Sequence, residues 1–209
     1  MATAAPQPGF VDPLVTAEFP GLRLRWVTVP ARPRPSPPAL RARLRDLSNR
    51  YRGAGVVTMR TKPIPQAFRA FFRQIGLDPD VRRIPAEEVA VARLLQGGFV
   101  SVDVVADACL VALIETGIPV WALDAGRVHD AELGIRLAPE GSLIVSDGAA
   151  TCCALFEDPL AERAVTPRTR RVTVFAVAVD GVPEIHVEEA LWCALELLGP
   201  PDPTPVPRR

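Results

Sequence analysis

Few side chains in this 209-residue chain have the chemistry of a catalyst, and those few are scattered. Histidine occurs only at His129 and His186. Neither stands at metal-ligand or triad spacing from a partner, and both read as surface or capping imidazoles. The four cysteines, at 109, 152, 153 and 193, include no C-x-x-C pair, and three lie in apolar stretches. That is the pattern of reduced thiols, not of a disulfide framework. Cys152 and Cys153 are neighbours on an expected strand and point to opposite faces, one toward the core and one free to face a pocket. No Walker loop, G-x-S-x-G, G-x-G-x-x-G or H-x-x-x-H pair occurs, which argues against those hydrolase types and against nucleotide cofactors. The second half also carries a carboxylate pair, Glu157-Asp158, ahead of Pro159, and the hydroxyls of Thr166 and Thr169. Acids before a proline suit a solvated turn, and Thr166-Pro167 suits a turn cap.

The elements that must position these groups follow from periodicity. Leu22 to Val29 alternates arginine with apolar residues, as a half-buried strand does, and Pro30 to Pro38 is a stiff extended linker. Four helices are expected next. Ser36-Pro37 caps the first, which runs to about Tyr51; Pro65 opens the second, which Gly76 closes, with Phe68, Phe71 and Phe72 on one side. Pro85, Glu87 and Glu88 start the third, ended by Gly97, and Ser101 or Asp103 caps a fourth that stops at Gly117. The fourth is apolar almost all round, so it should be buried. Short branched runs then read as strands: Val120–Asp124, Leu133–Ala138, Leu143–Val145, Thr151–Phe156 and Val172–Val179. A last helix covers Val187–Leu198. Helices first and strands later predict an α+β fold, with one domain over residues 14–199. Residues 1–13 and 200–209 are proline-rich and polar, and are expected to be disordered tails.

With 48% hydrophobic residues the chain belongs to the globular class. No apolar run reaches the length of a membrane span, and Met1 to Gly9 has no signal-peptide pattern, so a cytoplasmic protein with no membrane partner is expected. The zero net charge conceals a segregation. Residues 21–83 hold fifteen basic side chains against three acids, about +12, and the rest holds nine against twenty-one, about −12. Such a face suits phosphate-backbone binding through counterion release. It suits equally a solvated helix face paired with acids of the other segment.

The ordered motifs Gly117-Ile118-Pro119-Val120 with Asp124, Arg136-Leu137-Ala138, Glu140-Gly141, Ile144 to Asp147, Glu157-Asp158 and Val165 to Thr169 resemble the B3/B4 domain. That domain is the tRNA-binding and editing module of the phenylalanyl-tRNA synthetase β subunit, and it also occurs as a free-standing protein. Phe72 to Pro79, Arg83 to Gly97 and Asp107 extend the likeness to roughly residues 15–199. The resemblance implies a layered fold with a mixed β core. It implies a substrate side chain read by Glu157, with Asp158 and Phe156 beside it, and a water placed by Thr166 or Thr169. It further implies tRNA held by Arg41, Arg43, Arg45, Arg50, Arg52, Arg168, Arg170 and Arg171, with no metal or cofactor and no DNA partner. Its activity would be trans-editing hydrolysis of mischarged aminoacyl-tRNA; the alternatives are a non-catalytic tRNA- or amino-acid-binding module, and an amino-acid hydrolase or sensor independent of tRNA. Three positions depart from the family pattern: Ala154-Leu155-Phe156 stands where arginine, tryptophan and asparagine or glycines occur, Leu110 replaces an asparagine, and Pro85-Ala86 a Pro-Ser pair. These imply a pocket that is smaller, more apolar or filled.

Overall fold

The computed structural model describes residues 5–51 and 58–199. Its strands are β1 (Gln7–Pro8), β2 (Phe10–Val11), β3 (Arg23–Pro30), β4 (Val120–Asp124), β5 (Gly134–Leu137), β6 (Leu143–Ser146), β7 (Thr151–Ala154) and β8 (Arg171–Ala178). Its helices are α1 (Pro13–Glu18), α2 (Pro38–Arg50), α3 (Pro63–Gln74), α4 (Pro85–Gln96), α5 (Val104–Thr116) and α6 (Glu184–Leu198). The fold is α+β: most helices precede most strands, and the strands form two four-stranded sheets. One sheet has the order β1-β3-β8-β4, antiparallel throughout. The other runs β2-β5-β6-β7, with β2 parallel to β5.

The centre of the first sheet is β8, whose near-continuous apolar run is buried at every position after Arg171. A strand covered on both faces needs such a run, because neither face meets water. Against this sheet pack α5 and α6. The Asp103 carboxylate accepts the backbone N–H groups of Val105 and Ala106 and so caps α5, and Gly117 ends it. Inside that helix the buried Asp107 accepts from the hydroxyls of Ser36 and Ser101 and from the Val102 N–H. Ser36 therefore does not cap α2, as its place before Pro37 predicts; its hydroxyl is used 71 residues away, at 2.5 Å from Asp107. The second sequence helix starts at Pro63 and the last at Glu184, each earlier than the apolar pattern predicts.

The expectation of a disordered N-terminal tail is corrected over residues 5–13. β1 pairs with β3 and β2 with β5, so the five residues 7–11 stitch the two sheets together. Gly9 makes the crossing possible: a Cβ there would sit 2.5 Å from Leu24 Cδ2 and 2.9 Å from the Leu133 carbonyl oxygen. Composition alone does not reveal this, because the hydrogen bonds that order the segment come from distant strands. The expected C-terminal tail, 200–209, lies outside the described residues.

Candidate functional site

A cleft of about 540 Å³ opens between α4, α5, β4 and the loop that follows β7. That volume is in the range of small-molecule sites. Its walls are apolar, with Trp121 from β4 and Leu110 and Leu113 from α5. Every charged residue lining it is an acid: Glu88, Asp103, Glu157 and Asp158. An apolar wall with a carboxylate rim attracts a ligand that combines a cationic group with a hydrophobic body, and repels an exposed phosphate.

Phe156, Glu157 and Asp158, which the resemblance marks as substrate residues, all line this cleft. Phe156 has φ of 65°, making it the sole non-glycine residue in left-handed backbone among those described. A non-glycine residue there is strained, and such strain persists where its surroundings fix it. Here an aromatic cluster does so. The Phe156 ring lies 5.7, 5.8 and 5.5 Å from those of Phe68, Phe71 and Phe72 of α3, and 6.2 Å from Trp121. On its other side Trp121 stacks on Phe175 of β8 at 5.5 Å. The Phe156 ring is thus partly buried against the core and at the same time lines the cleft, which keeps a volume of about 540 Å³.

Beyond Phe156 lies a second cleft of about 440 Å³, lined by Leu77, Val81, Leu95 and Leu155 and by the exposed Arg82 and Arg83. The two clefts share Glu88, Ala92, Phe156 and Glu157, which form the wall between them. Glu157 is half exposed and ion-paired with Arg82. It is thus a rim group, not the buried acid that would reject a side chain lacking a hydroxyl.

Thr166 and Thr169 are placed differently from the expectation, and neither lines either cleft. Thr169 is 2% exposed; its hydroxyl donates to Asp124 at 2.6 Å and accepts the Thr166 N–H at 2.9 Å. The Thr166 hydroxyl accepts the Arg168 N–H within the same turn. This pair fastens the 166–169 turn to the end of β4 and is not aimed at a substrate water. Cys109 does line the cleft, but burial pushes its thiol up to about 12, so it carries no thiolate near neutrality. Cys152 and Cys153 are both buried, so neither faces a pocket. Neither His129 nor His186 reaches the cleft. Among the described residues no group of three or more histidine, cysteine or acidic side chains is arranged to hold a metal ion.

The arginines divide into two sets. Arg41, Arg45 and Arg50 of α2, and Arg168, Arg170 and Arg171, are exposed. Arg43 is not available in that sense: its guanidinium grips both carboxylate oxygens of Glu115 and is held further protonated by it. Arg52 lies outside the described residues. Other basic groups of the first third are bound to acids of the same molecule, with Arg25 on Glu184 and the buried Arg69 on Glu87 and Asp80. Moreover α2 packs on the Asp107, Ile114 and Glu115 side of α5, while the cleft lies along Ala106, Cys109 and Leu113. One helix therefore separates the α2 arginines from the cleft. Arg82 and Arg83 stand nearer, at the second cleft, and sequence reasoning counted them only as part of a basic segment. Trp121 and Glu88 were missed as site residues, since each reads as an ordinary strand or helix-start residue until the tertiary fold apposes them.

The chain matches no protein-family model and no curated protein. Among the described residues no helix is long and apolar enough to cross a membrane.

Proposed function

We propose that this chain is a stand-alone module of the B3/B4 type that binds tRNA or aminoacyl-tRNA in the cytoplasm and holds the aminoacyl group in the 540 Å³ cleft. The observation that carries this reading is the convergence of Phe156, Glu157 and Asp158 on one apolar cleft, as the resemblance implies. The α-ammonium of an aminoacyl ester suits the rim of Glu88, Asp103, Glu157 and Asp158, and its side chain suits the Trp121 wall. Phosphates are repelled by that rim and would be met outside it, by Arg83 or by Arg41, Arg45 and Arg50 of α2 and Arg168, Arg170 and Arg171.

Binding without hydrolysis is the preferred form of this reading. Of the two hydroxyls that the editing role needs, that of Thr169 is buried on Asp124 and that of Thr166 is engaged within its own turn, and neither lines the cleft. Hydrolysis would fall to a rim carboxylate that orients water toward the ester carbonyl. Deacylation assays with tyrosyl-tRNA(Phe) and a panel of other aminoacyl-tRNAs, run beside filter binding at increasing salt, test both forms. Salt-dependent binding without turnover is expected. Turnover that Glu157→Ala abolishes would establish trans-editing instead, and absence of tRNA binding at low salt would remove the RNA partner altogether.

A further inference from the structure

The two clefts share a wall, and that wall contains Phe156, the one non-glycine residue with a left-handed backbone among those described. Four residues form it: Glu88 and Ala92 from α4, and Phe156 and Glu157 from the loop after β7. Phe156 is the largest of the four and the wall's one apolar residue bigger than alanine. Its ring is held by contacts from four other aromatic rings, on α3 and β4. A φ of 65° at this position would suit glycine without strain, yet the chain carries a phenylalanine. Replacing that ring with hydrogen would relieve the backbone and join two cavities of about 540 and 440 Å³ into one.

From this geometry we infer that Phe156 is a specificity-determining residue that ends the aminoacyl cleft and confines it to side chains short enough to stop at the wall. The inference rests on the reading of the cleft as an aminoacyl site. The substrate class it names is amino acids with uncharged apolar side chains that lie against Trp121, the amino group facing the carboxylate rim. Side chains extended along one axis by a second ring are excluded, because their far end must enter the second cleft. Leu155 and Leu95 there would give such an end an apolar lining once the wall is opened.

Amino-acid amides test this directly, since they carry the ammonium group and lack the carboxylate that the acidic rim repels. L-Leucinamide, L-phenylalaninamide and O-benzyl-L-tyrosinamide would be titrated into the full chain by calorimetry. The wild type is expected to bind the first two and to bind the elongated third at least tenfold more weakly. Phe156→Gly is expected to bind O-benzyl-L-tyrosinamide about tenfold more tightly than the wild type, a gain of about 1.4 kcal/mol. Ala92→Trp adds bulk to the same wall from the helix side while leaving every ring of the aromatic cluster in place, and should weaken L-phenylalaninamide about tenfold. It keeps the inference testable if Phe156→Gly fails to fold. Equal binding of the short and elongated amides by the wild type, indifference of all three amides to both variants, or no amide binding at all overturns the inference. Filter binding of uncharged tRNA separates the two proposals. A chain that binds amides but no tRNA keeps Phe156 as the selecting residue and loses the RNA partner, and the reverse result does the opposite.

Discussion

Residue 156 shows how one side chain sets a local free-energy balance. In left-handed backbone alanine carries a Cβ penalty that glycine does not, so the usual ranking of the two inverts. Phe156→Ala and Phe156→Gly both remove the ring from the cluster of Phe68, Phe71, Phe72 and Trp121, and both should destabilise the protein by roughly 2–4 kcal/mol. The alanine variant should be the worse by about 1 kcal/mol. Urea denaturation of the two variants side by side checks this, and an alanine variant as stable as the glycine one would mean that residue 156 is not left-handed. None of this is legible in the sequence. Phe156 reads as the last residue of an expected strand, and its φ is known only once β7 ends at Ala154 and the chain turns. Glu157 and Asp158 were singled out by the resemblance alone, since acids ahead of a proline read by themselves as a solvated turn. Thr166 and Thr169 were legible as a pair but not in role, because their partner Asp124 is more than forty residues distant.

At the level of elements, the N-terminal strands and α2 give the sharpest expectations. Parallel pairing of β2 with β5 brings the Phe10 backbone against Gly134 so closely that a Cβ would lie 2.2 Å from the Phe10 carbonyl oxygen. Because the obstacle is main chain, Gly134→Ala should expel β2, at a cost of about 1–3 kcal/mol. Hydrogen exchange reads this locally. The amides of Phe10 and Asp12, which now donate to Leu133 and Ile135, should lose protection while those of β8 keep it. On α2 the arginines are expected to separate by function. Arg41→Ala and Arg45→Ala should each weaken tRNA binding and reduce the slope of log affinity against log salt by about one. Arg43→Ala should leave that slope nearly unchanged and lower the melting temperature slightly, because its guanidinium is already committed to Glu115. Filter binding at four or more salt concentrations, with melting curves on the same samples, distinguishes the two patterns. Helix positions were well predicted by proline, glycine and acid punctuation, whereas Ser36 was misassigned because a local cap and a distant carboxylate compete for one hydroxyl.

For the molecule as a whole, stability in acid is expected to depend on Asp147, a fully buried residue at the end of β6. Burial opposes its ionisation, but the N–H groups of Ala150 and His129, the charge of Arg163 and the N–H of Ala149 together outweigh that and hold its carboxyl below the ordinary aspartate range. A depressed folded-state pKa means that the ionised group stabilises the fold above the unfolded value of about 4. That contribution is lost as pH falls from there through the lower folded value. Thermal melts from pH 7 to pH 2.5 should therefore fall most steeply below about pH 4. Asp147→Asn should start from a lower melting temperature at neutral pH and show a shallower acid limb. An unchanged acid limb in that variant would move the effect to other carboxylates. The ion pairs between the basic first third and the acidic remainder, such as Arg43–Glu115 and Arg69–Glu87, have a further consequence at this scale. They show that much of the charge segregation serves to join the two segments.

The amino-acid sequence by itself determined the α+β class, the helices bounded by proline and glycine, the buried α5 and the continuous apolar β8. Those features depend on periodicity and on residues that act within a few positions of themselves. Only the tertiary structure decided that residues 7–11 tie two sheets together, that Trp121, Glu88, Phe156 and Glu157 enclose one cleft, and that Thr169 belongs to Asp124. The physical reason is the same in each case. A strand pairing, a cleft wall or a buried hydroxyl's partner is set by groups far apart in the chain, and no local pattern records which of them the fold will bring together.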